Sequence, residues 1–433
     1  MRSRTPTIVL ENGAYELLNL GDIAMLRVAY ERLAATWPRA KIFIVTKSAE
    51  ALKALFPSAE PILTEDRNAW LETFNLFGWA HRLLPNNFQH WLVEAERHLR
   101  SRFPALAILI LRARFGAASA RFLRASHFVS LIRDADLVVA AGGGYVNDSF
   151  KIHALTLFDV FSLAQTLGKP TCMVGQGFGP VSDPALKNAA NRVLCGVNLI
   201  FLRDTEGSRS FVRECGVNEG AVAVTGDDAI EPAFARKPGV LGRHVGVNIR
   251  IAGYSGLSAD LYPRLGKLIN DFAARVAARV EVIPISSATG SKEEDSDLQA
   301  AMELLGNRFE QHVDQAVCLD NVIDAAGRCR IVVTASYHAA VFALSQGVSV
   351  IAVIGTDYYL SKFAGLRKQF GSGVDFCDVR SPDWEFGLAR LLEASWQNAE
   401  NRRQGLLAAA EVQIGQGVQA YRRLADVMRV ANE

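Results

Sequence analysis

No stretch of this sequence is apolar for long enough to cross a bilayer. The longest such run, Phe103 to Leu111, includes Pro104 and falls well short of a span. The N-terminus, MRSRTPTIVLENG, lacks the apolar segment of a signal peptide, and its TPTIVLE reads as a first strand. Together these absences predict a cytoplasmic protein. Cysteine is scarce and scattered. Cys172, Cys195, Cys215, Cys318, Cys329 and Cys377 form no C-x-x-C pair and no Cys/His cluster at zinc-ligand spacing. That pattern fits small buried hydrophobes in a reducing compartment. Charge of one sign is missing too. With 47 basic and 45 acidic residues the formal net charge is +2, so nothing draws the chain as a whole to nucleic acid.

Several signature loops are absent. The glycine-rich GGGYVND is not G-x-G-x-x-G, and no Walker lysine follows it. There is no G-x-S-x-G elbow, no H-E-x-x-H pair and no kinase signature set. Nicotinamide and P-loop readings are therefore weak, and hydrolase and kinase readings have no support. No cofactor is expected, and no metal is assigned to the site.

What is present is a hydrophobic half and a repeating rhythm. Hydrophobic residues make up 50% of the 433, enough to fill two full cores. TIVLEN, KIFIVTK, ADLVVAA and NLIFLRD read as strands that lead into helical patterns, PTCMVGQGFGP as a strand and Gly loop before another helix, and AVAVTGDDAI as a strand with an acidic end. Met25, Val28, Ala29, Leu33 and Trp37 recur at helical spacing, and Ser48 is placed to cap a short second helix. After the Pro-, Gly- and base-rich segment 231–244 the rhythm restarts with HVGVNIR, EVIPISS, RIVVTA and VSVIAVIG. Strands alternating with helices predict parallel sheets. The expected fold class is α/β with two Rossmann-like domains facing a central cleft, over 1–235 and 236–385, then a helical tail over 386–433.

Residues 64–135 interrupt the rhythm as a helical insertion in the first domain. From Arg97 to Arg133 the insertion carries eight arginines and no acidic residue, with apolar stretches between them. This segment reads either as a peripheral contact with an anionic membrane surface or as an ordinary helical excursion with a solvated face.

Unusual residues collect at the strand ends, where ligands bind in open α/β sheets. Asn19, Gly21 and Asp22 precede the first helix, and Asp22 suits either a sugar hydroxyl or a helix cap. Gly142, Gly143 and Gly144, with Tyr145, Asn147 and Asp148, leave backbone N–H groups open to a ligand at a helix N-terminus, or form a purely steric turn. Gln176 and Gly177 lie in a second glycine-rich strand exit. Arg203 and Arg250 each end a strand and suit a carboxylate or phosphate, although Arg203 is also placed to pair locally with Asp204. Asp227 and Asp228 are paired carboxylates that suit either Mg²⁺ or the orientation of arginines. Ser336, Tyr337 and His338 sit at a strand–helix junction, where a histidine can exchange protons near neutral pH. Lys362, after Tyr358 and Tyr359, adds a further cation.

At these residues the chain resembles the polysaccharide pyruvyl transferase family. The matching pieces are NLGDIAML, LVVAAGGGYVND, GQGFGP, LRDTEGS, VTGDDA, GVNIR and TASYHAAVFALSQGVSVIAV, which span most of the chain in order. The resemblance implies a GT-B-like fold, phosphoenolpyruvate as donor and a cell-surface glycan sugar or lipid-linked oligosaccharide as acceptor. On that basis His338 is the candidate general acid and Asp22 binds or deprotonates the acceptor. Many members carry an arginine two residues before the histidine. Here Ser336 stands there, in the manner of an S-Y-H branch, and Arg203, Arg250 or Lys362 would supply the missing cation. Two other readings share the fold: a glycosyltransferase using a nucleotide sugar, with Glu293, Glu294 or Asp295 toward the ribose, and a non-catalytic glycan-assembly protein.

Overall fold

The computed structural model of the protein describes residues 5–72, 75–78, 85–205, 207–249, 256–258, 260–286, 297–305 and 317–432. Two parallel sheets organise it. The first contains β1 (Thr7–Glu11), β2 (Lys41–Thr46), β3 (Glu60–Leu63), β4 (Leu137–Ala140), β5 (Gly143–Val146), β6 (Thr171–Phe178), β7 (Leu199–Leu202) and β8 (Val222–Val224). Its order is β3-β2-β1-β4-β6-β7-β8, with the short β5 paired to β6. The second contains β9 (His244–Asn248), β10 (Val280–Val282), β11 (Cys329–Thr334), β12 (Ser349–Ile354) and β13 (Val374–Asp378), ordered β10-β9-β11-β12-β13. The central strands LVVA, LIFL and SVIAVI are buried throughout, as strands covered by helices on both faces must be. These are two Rossmann-like domains of the GT-B type.

Two strands, β3 and β13, go beyond the sequence reading. Both lie at sheet edges and are short, with Glu60 and Pro61 in one and Asp375 and Asp378 in the other breaking the apolar run. The edge also tolerates Pro61, which has no N–H to donate. The glycine segments differ from expectation as well. Gly143 and Gly144 belong to β5, and Gly175 and Gly177 lie inside β6 rather than in loops. The following helix, Lys151–Thr166, starts only after a short turn capped by Asn147, so the glycines are not at its N-terminus.

The first helix, Leu20–Thr36, is capped by Asn19, whose side chain accepts from the N–H groups of Gly21 and Asp22. Asp22 is thus a first-turn residue and not the cap. Ser48 caps Ala49–Leu55 through the N–H of Ala51.

Between β3 and β4 lie the helices Thr64–Leu71, Asn86–Arg102, Pro104–Phe115 and Ala120–Asp134. The acid-free arginine run is not a bare cationic face. Arg97 pairs with Glu94 and Asp159, Arg100 with Glu96, Arg121 with Glu72, Arg124 with Glu65, and Arg133 with Asp134. These partners all lie outside 97–133, some beside the run and some far from it, so folding offsets part of the local excess. Among the described residues no helix is long and apolar enough to cross a membrane.

The chain ends in one helix of 49 residues, Trp384–Asn432. At ~1.5 Å per residue it runs roughly 70 Å. Its start packs on β12 and β13, and its far end returns to the first domain. There Tyr421 donates to Asp228 at 2.7 Å, and Arg32 of the first helix meets Asp228 at 3.2 Å and Glu231 at 2.6 Å. Burial raises the Asp228 carboxyl to about 6, against the pull of Arg32 and Tyr421. Above that pH the phenol stabilises the ionised carboxylate. Tyr421→Phe is therefore expected to cost about 1.5–3 kcal/mol at pH 8 and less at pH 5, where the carboxyl is protonated. Denaturant unfolding at the two pH values measures this, and an equal loss at both would contradict the assignment.

Candidate active site

The strand ends of both sheets open onto one cavity of about 150 Å³. The first domain contributes Asn19, Asp22, Gly144, Tyr145, His153 and Arg203. The second contributes Ser336, Tyr337, His338, Tyr358, Tyr359 and Lys362. The start of the first helix also meets the second domain directly, with the N–H of Leu20 donating to the carbonyl of Ile285 at 2.8 Å.

Arg203, just beyond β7, is almost fully buried. Its guanidinium lies 4.2 Å from the centre of the Tyr337 ring and 3.5 Å from Asp227 Oδ2, with Asp204 at 3.9 Å. Burial opposes the charge, yet Tyr337 and these carboxylates overcome it and raise the pKa. The glycines make room for this side chain. A β-carbon on Gly144 or on Gly177 would run into the Arg203 guanidinium.

His338 lies in the first turn of the helix Tyr337–Ser345, with Ser336 at the cap position. Its Nε2 is 3.9 Å from Asp227 Oδ2, so one carboxylate faces both the arginine of one domain and the histidine of the other. Asp227 is held from behind by the N–H of Ala229 at 2.9 Å. Burial raises its pKa, and Arg203 opposes that shift. Gly21 faces the imidazole so closely that a β-carbon there would overlap it.

Lys362 lies on the helix Asp357–Phe370, with Nζ 4.1 Å from the centre of the Tyr358 ring. Burial and Arg203 lower its pKa to about 7, with Asp22 and Asp204 opposing. The Tyr337 hydroxyl and His153 Nε2, both in the cavity wall, have no hydrogen-bond partner among the described residues. His153 stacks on Tyr15 at 4.7 Å, and burial followed by Arg67 lowers it to about 4, so it is neutral at physiological pH.

Not every candidate reaches the cavity. Gly142 packs against Met25 and the Gly175 carbonyl, and Gly143 against the ring of Tyr145. Gln176 is fully buried and donates to the Ala141 carbonyl at 2.6 Å and the Tyr145 hydroxyl at 2.9 Å. It braces the sheet behind the cavity. Asn147 caps the turn through the N–H of Phe150 and donates across the cleft to the Tyr358 hydroxyl at 3.2 Å. Arg250, Glu293, Glu294 and Asp295 lie outside the described residues.

The acidic pair also divides. Asp227 faces Arg203 and His338, whereas Asp228 faces Arg32 and Tyr421. Among the described residues no group of three or more His, Cys, Asp or Glu side chains could hold a metal. Asp227 as the partner of His338, and His153 in the wall, are the residues that the sequence reading missed. The GDD end of the strand marked a site, but nothing in the letters says which carboxylate turns inward. The arrangement can hold an anion between Arg203 and Lys362 and move a proton at His338.

Solved structures of the GT-B type superpose along nearly the whole chain. MnaA of S. aureus, solved with UDP, aligns with a TM-score of 0.55 at 12% identity over 97% of this chain and 95% of that one. HepE of Anabaena, also with UDP, gives 0.54 at 12% over 98% and 100%. A glycosyltransferase of Rickettsia africae gives 0.54 at 11% over 99% of each. Identity this low establishes a shared fold and no more.

Within that fold class, the chain belongs to the polysaccharide pyruvyl transferase family, whose pattern matches residues 19–358. The amylovoran biosynthesis protein AmsJ of Erwinia amylovora is 23% identical over 277 residues, which span 59% of this chain and 64% of AmsJ.

The space beside Arg203 gives a direct test of this geometry. Gly144→Ala drives a methyl group into the guanidinium and is expected to cost ~1–3 kcal/mol. In an Arg203→Ala background the same change should cost far less, because the methyl then enters vacated space. Denaturant midpoints for the four proteins measure the difference, and equal costs in both backgrounds would place Arg203 elsewhere.

Proposed function

We propose that the protein transfers the pyruvyl group of phosphoenolpyruvate, as a ketal, onto a sugar of a cell-surface polysaccharide or its lipid-linked precursor. The observation that carries this reading is the convergence of Arg203, Lys362 and His338 on one cavity between the two domains, with Asp227 behind the arginine and the histidine. Family membership and the likeness to AmsJ support a polysaccharide as the target.

The donor carries a carboxylate and a phosphate, and both need fixed cations. Arg203 is rigidly seated and offers a planar fork. Lys362 offers a mobile point charge, the unpartnered Tyr337 hydroxyl a neutral donor, and the helix start at Ser336 a favourable dipole. Together they take the place of the arginine that other members carry at the position of Ser336.

In the reaction His338 gives a proton to the methylene carbon, and C2 becomes electrophilic. An acceptor hydroxyl adds to C2 and yields its proton to Asp22. The C2–O bond to phosphate then breaks, a second acceptor hydroxyl closes the ring, and its proton leaves with inorganic phosphate. The donor supplies its own leaving group, so the sequence of steps requires no cofactor.

Calorimetric titration with phosphoenolpyruvate, set beside a panel of UDP-sugars, tests the reading. Phosphoenolpyruvate is expected to bind saturably, at least tenfold more weakly in Lys362→Met. The His338→Ala protein is expected to bind it normally and to lose transfer. At pH 8 most free Lys362 is neutral, and a bound anion recharges it. Binding should therefore take up a proton in the wild type beyond any uptake in Lys362→Met. Binding of a UDP-sugar alone would make the protein a glycosyltransferase instead.

The reading extends to a peripheral membrane contact through 97–133, where a lipid-linked acceptor would arrive. Its support is apolar more than electrostatic. Phe103, Leu106 and Leu109 stand 55%, 48% and 59% exposed around the start of Pro104–Phe115. Co-sedimentation with phosphatidylglycerol-containing liposomes is expected, and a several-fold drop in Leu106→Ser/Leu109→Ser. A protein that stays in the supernatant would end this part of the reading.

A further inference from the structure

A second cavity, of about 350 Å³, adjoins the first. The two share Gly144, Arg203, Tyr358 and Lys362, which form a threshold between them. Their walls differ in chemistry. The first is lined by the histidine, the carboxylate of Asp22 and both cations. The second turns apolar beyond the threshold, with Phe178, Pro180, Val181 and Phe211 along one side. The Phe178 and Phe211 rings lie 5.7 Å apart, tilted by 32°. Gly177, Gly179 and Gly207 leave other stretches of wall without side chains.

Two carboxylates line this space, Asp204 and Asp357, and Asp357 is paired with Arg380. Asp204 is held by the Ser208 hydroxyl at 2.8 Å, and that hydroxyl also accepts from the N–H of Phe178 at 2.9 Å. The Asp204 carboxylate and the aromatic wall are therefore locked to each other. An apolar face beside an anchored acceptor matches a pyranose ring, which has C–H groups on its faces and hydroxyl donors at its rim. Size separates the two cavities further. Ligand pockets usually measure ~300–1,000 Å³. The second cavity reaches that range, while the first is suited to a compact anion.

We propose that the second cavity is the acceptor subsite, holding a pyranose against Phe178 and Phe211 with its two reacting hydroxyls directed across the threshold toward the donor. This rests on the pyruvyl-transfer reading for the identity of the donor. The placement accounts for the glycine at position 144. A side chain there would displace Arg203 and also narrow the passage through which the hydroxyls must reach C2.

Saturation-transfer NMR tests the assignment with methyl β-D-glucopyranoside, methyl β-D-galactopyranoside and methyl α-D-mannopyranoside as probes, with and without phosphoenolpyruvate. At least one probe is expected to receive saturation from the wild-type protein. Val181→Trp and Ser361→Phe, both at positions that line the second cavity, should each abolish that signal. Both variants should bind phosphoenolpyruvate within twofold of the wild type by calorimetry, which also shows that they are folded. Saturation that persists in the filled variants, or that no probe receives, would overturn the subsite. Displacement of the probe by UDP at equal affinity in the presence of phosphoenolpyruvate would reassign the cavity to a nucleotide. A wild-type protein that binds the probe but not phosphoenolpyruvate would instead defeat the pyruvyl-transfer reading and leave the sugar site standing.

Discussion

Asp227 is the constraint on which the site depends. It is a fully buried carboxylate whose removal from water is costly unless charge and hydrogen bonds compensate it. Arg203 and His338 face it from different domains, and the Ala229 N–H holds it from behind. The acid therefore acts as a joint as well as a counter-charge. The distance between the anion-binding group and the proton-carrying group is set by one side chain that both must approach. A shift of the second domain would carry His338 away from Asp227, while Arg203 and the Ala229 N–H share the acid's own domain and stay with it.

The glycines follow from the same constraint. An arginine and a histidine that converge on one carboxylate need space from the strands and the helix beside them. Gly144 and Gly177 leave it for the guanidinium, and Gly21 for the imidazole. A sequence shows where side chains are missing but not what fills the gap. The reading from letters alone therefore left Gly142–Gly144 either as backbone N–H groups open to a ligand or as a purely steric turn. In the fold Gly144 of β5 and Gly177 of β6 make room for Arg203, while Gly142 and Gly143 pack against Met25 and Tyr145. The same limit explains Gln176, whose polar side chain at a strand end looked like a ligand contact and is a brace turned toward Tyr145.

Much of the architecture was legible, for a physical reason. Strands such as LVVA and SVIAVI, buried on both faces, carry an uninterrupted apolar signal, and the helices between them keep a clear period. β3 (EPIL) and β13 (VDFCD) escaped because Glu60, Pro61, Asp375 and Asp378 break their short apolar runs, whereas the other edge strands, β8 and β10, were read. The site was legible as far as strand ends mark it: Asp22, Arg203, His338 and Lys362 line one cavity. Which of Asp227 and Asp228 points inward was not legible, because both follow Gly226 in a turn and no alternation governs their direction. Charge was misleading for a related reason. Arg97, Arg121 and Arg124 of the run find acids far away in sequence, at Asp159, Glu72 and Glu65, which proximity in sequence cannot reveal.

The terminal helix has a consequence for how the molecule melts. Its first turns rest on the second sheet and its last on the first, where Tyr421 reaches Asp228. One hydrophobic cluster also runs unbroken from Ile8 and Leu10 of β1 to Val245 and Val247 of β9. If either domain loosened alone, part of a continuous helix would be stripped of its packing and a buried carboxylate of its partners. The two Rossmann-like domains are separate as topology but are tied by one continuous helix and one continuous core.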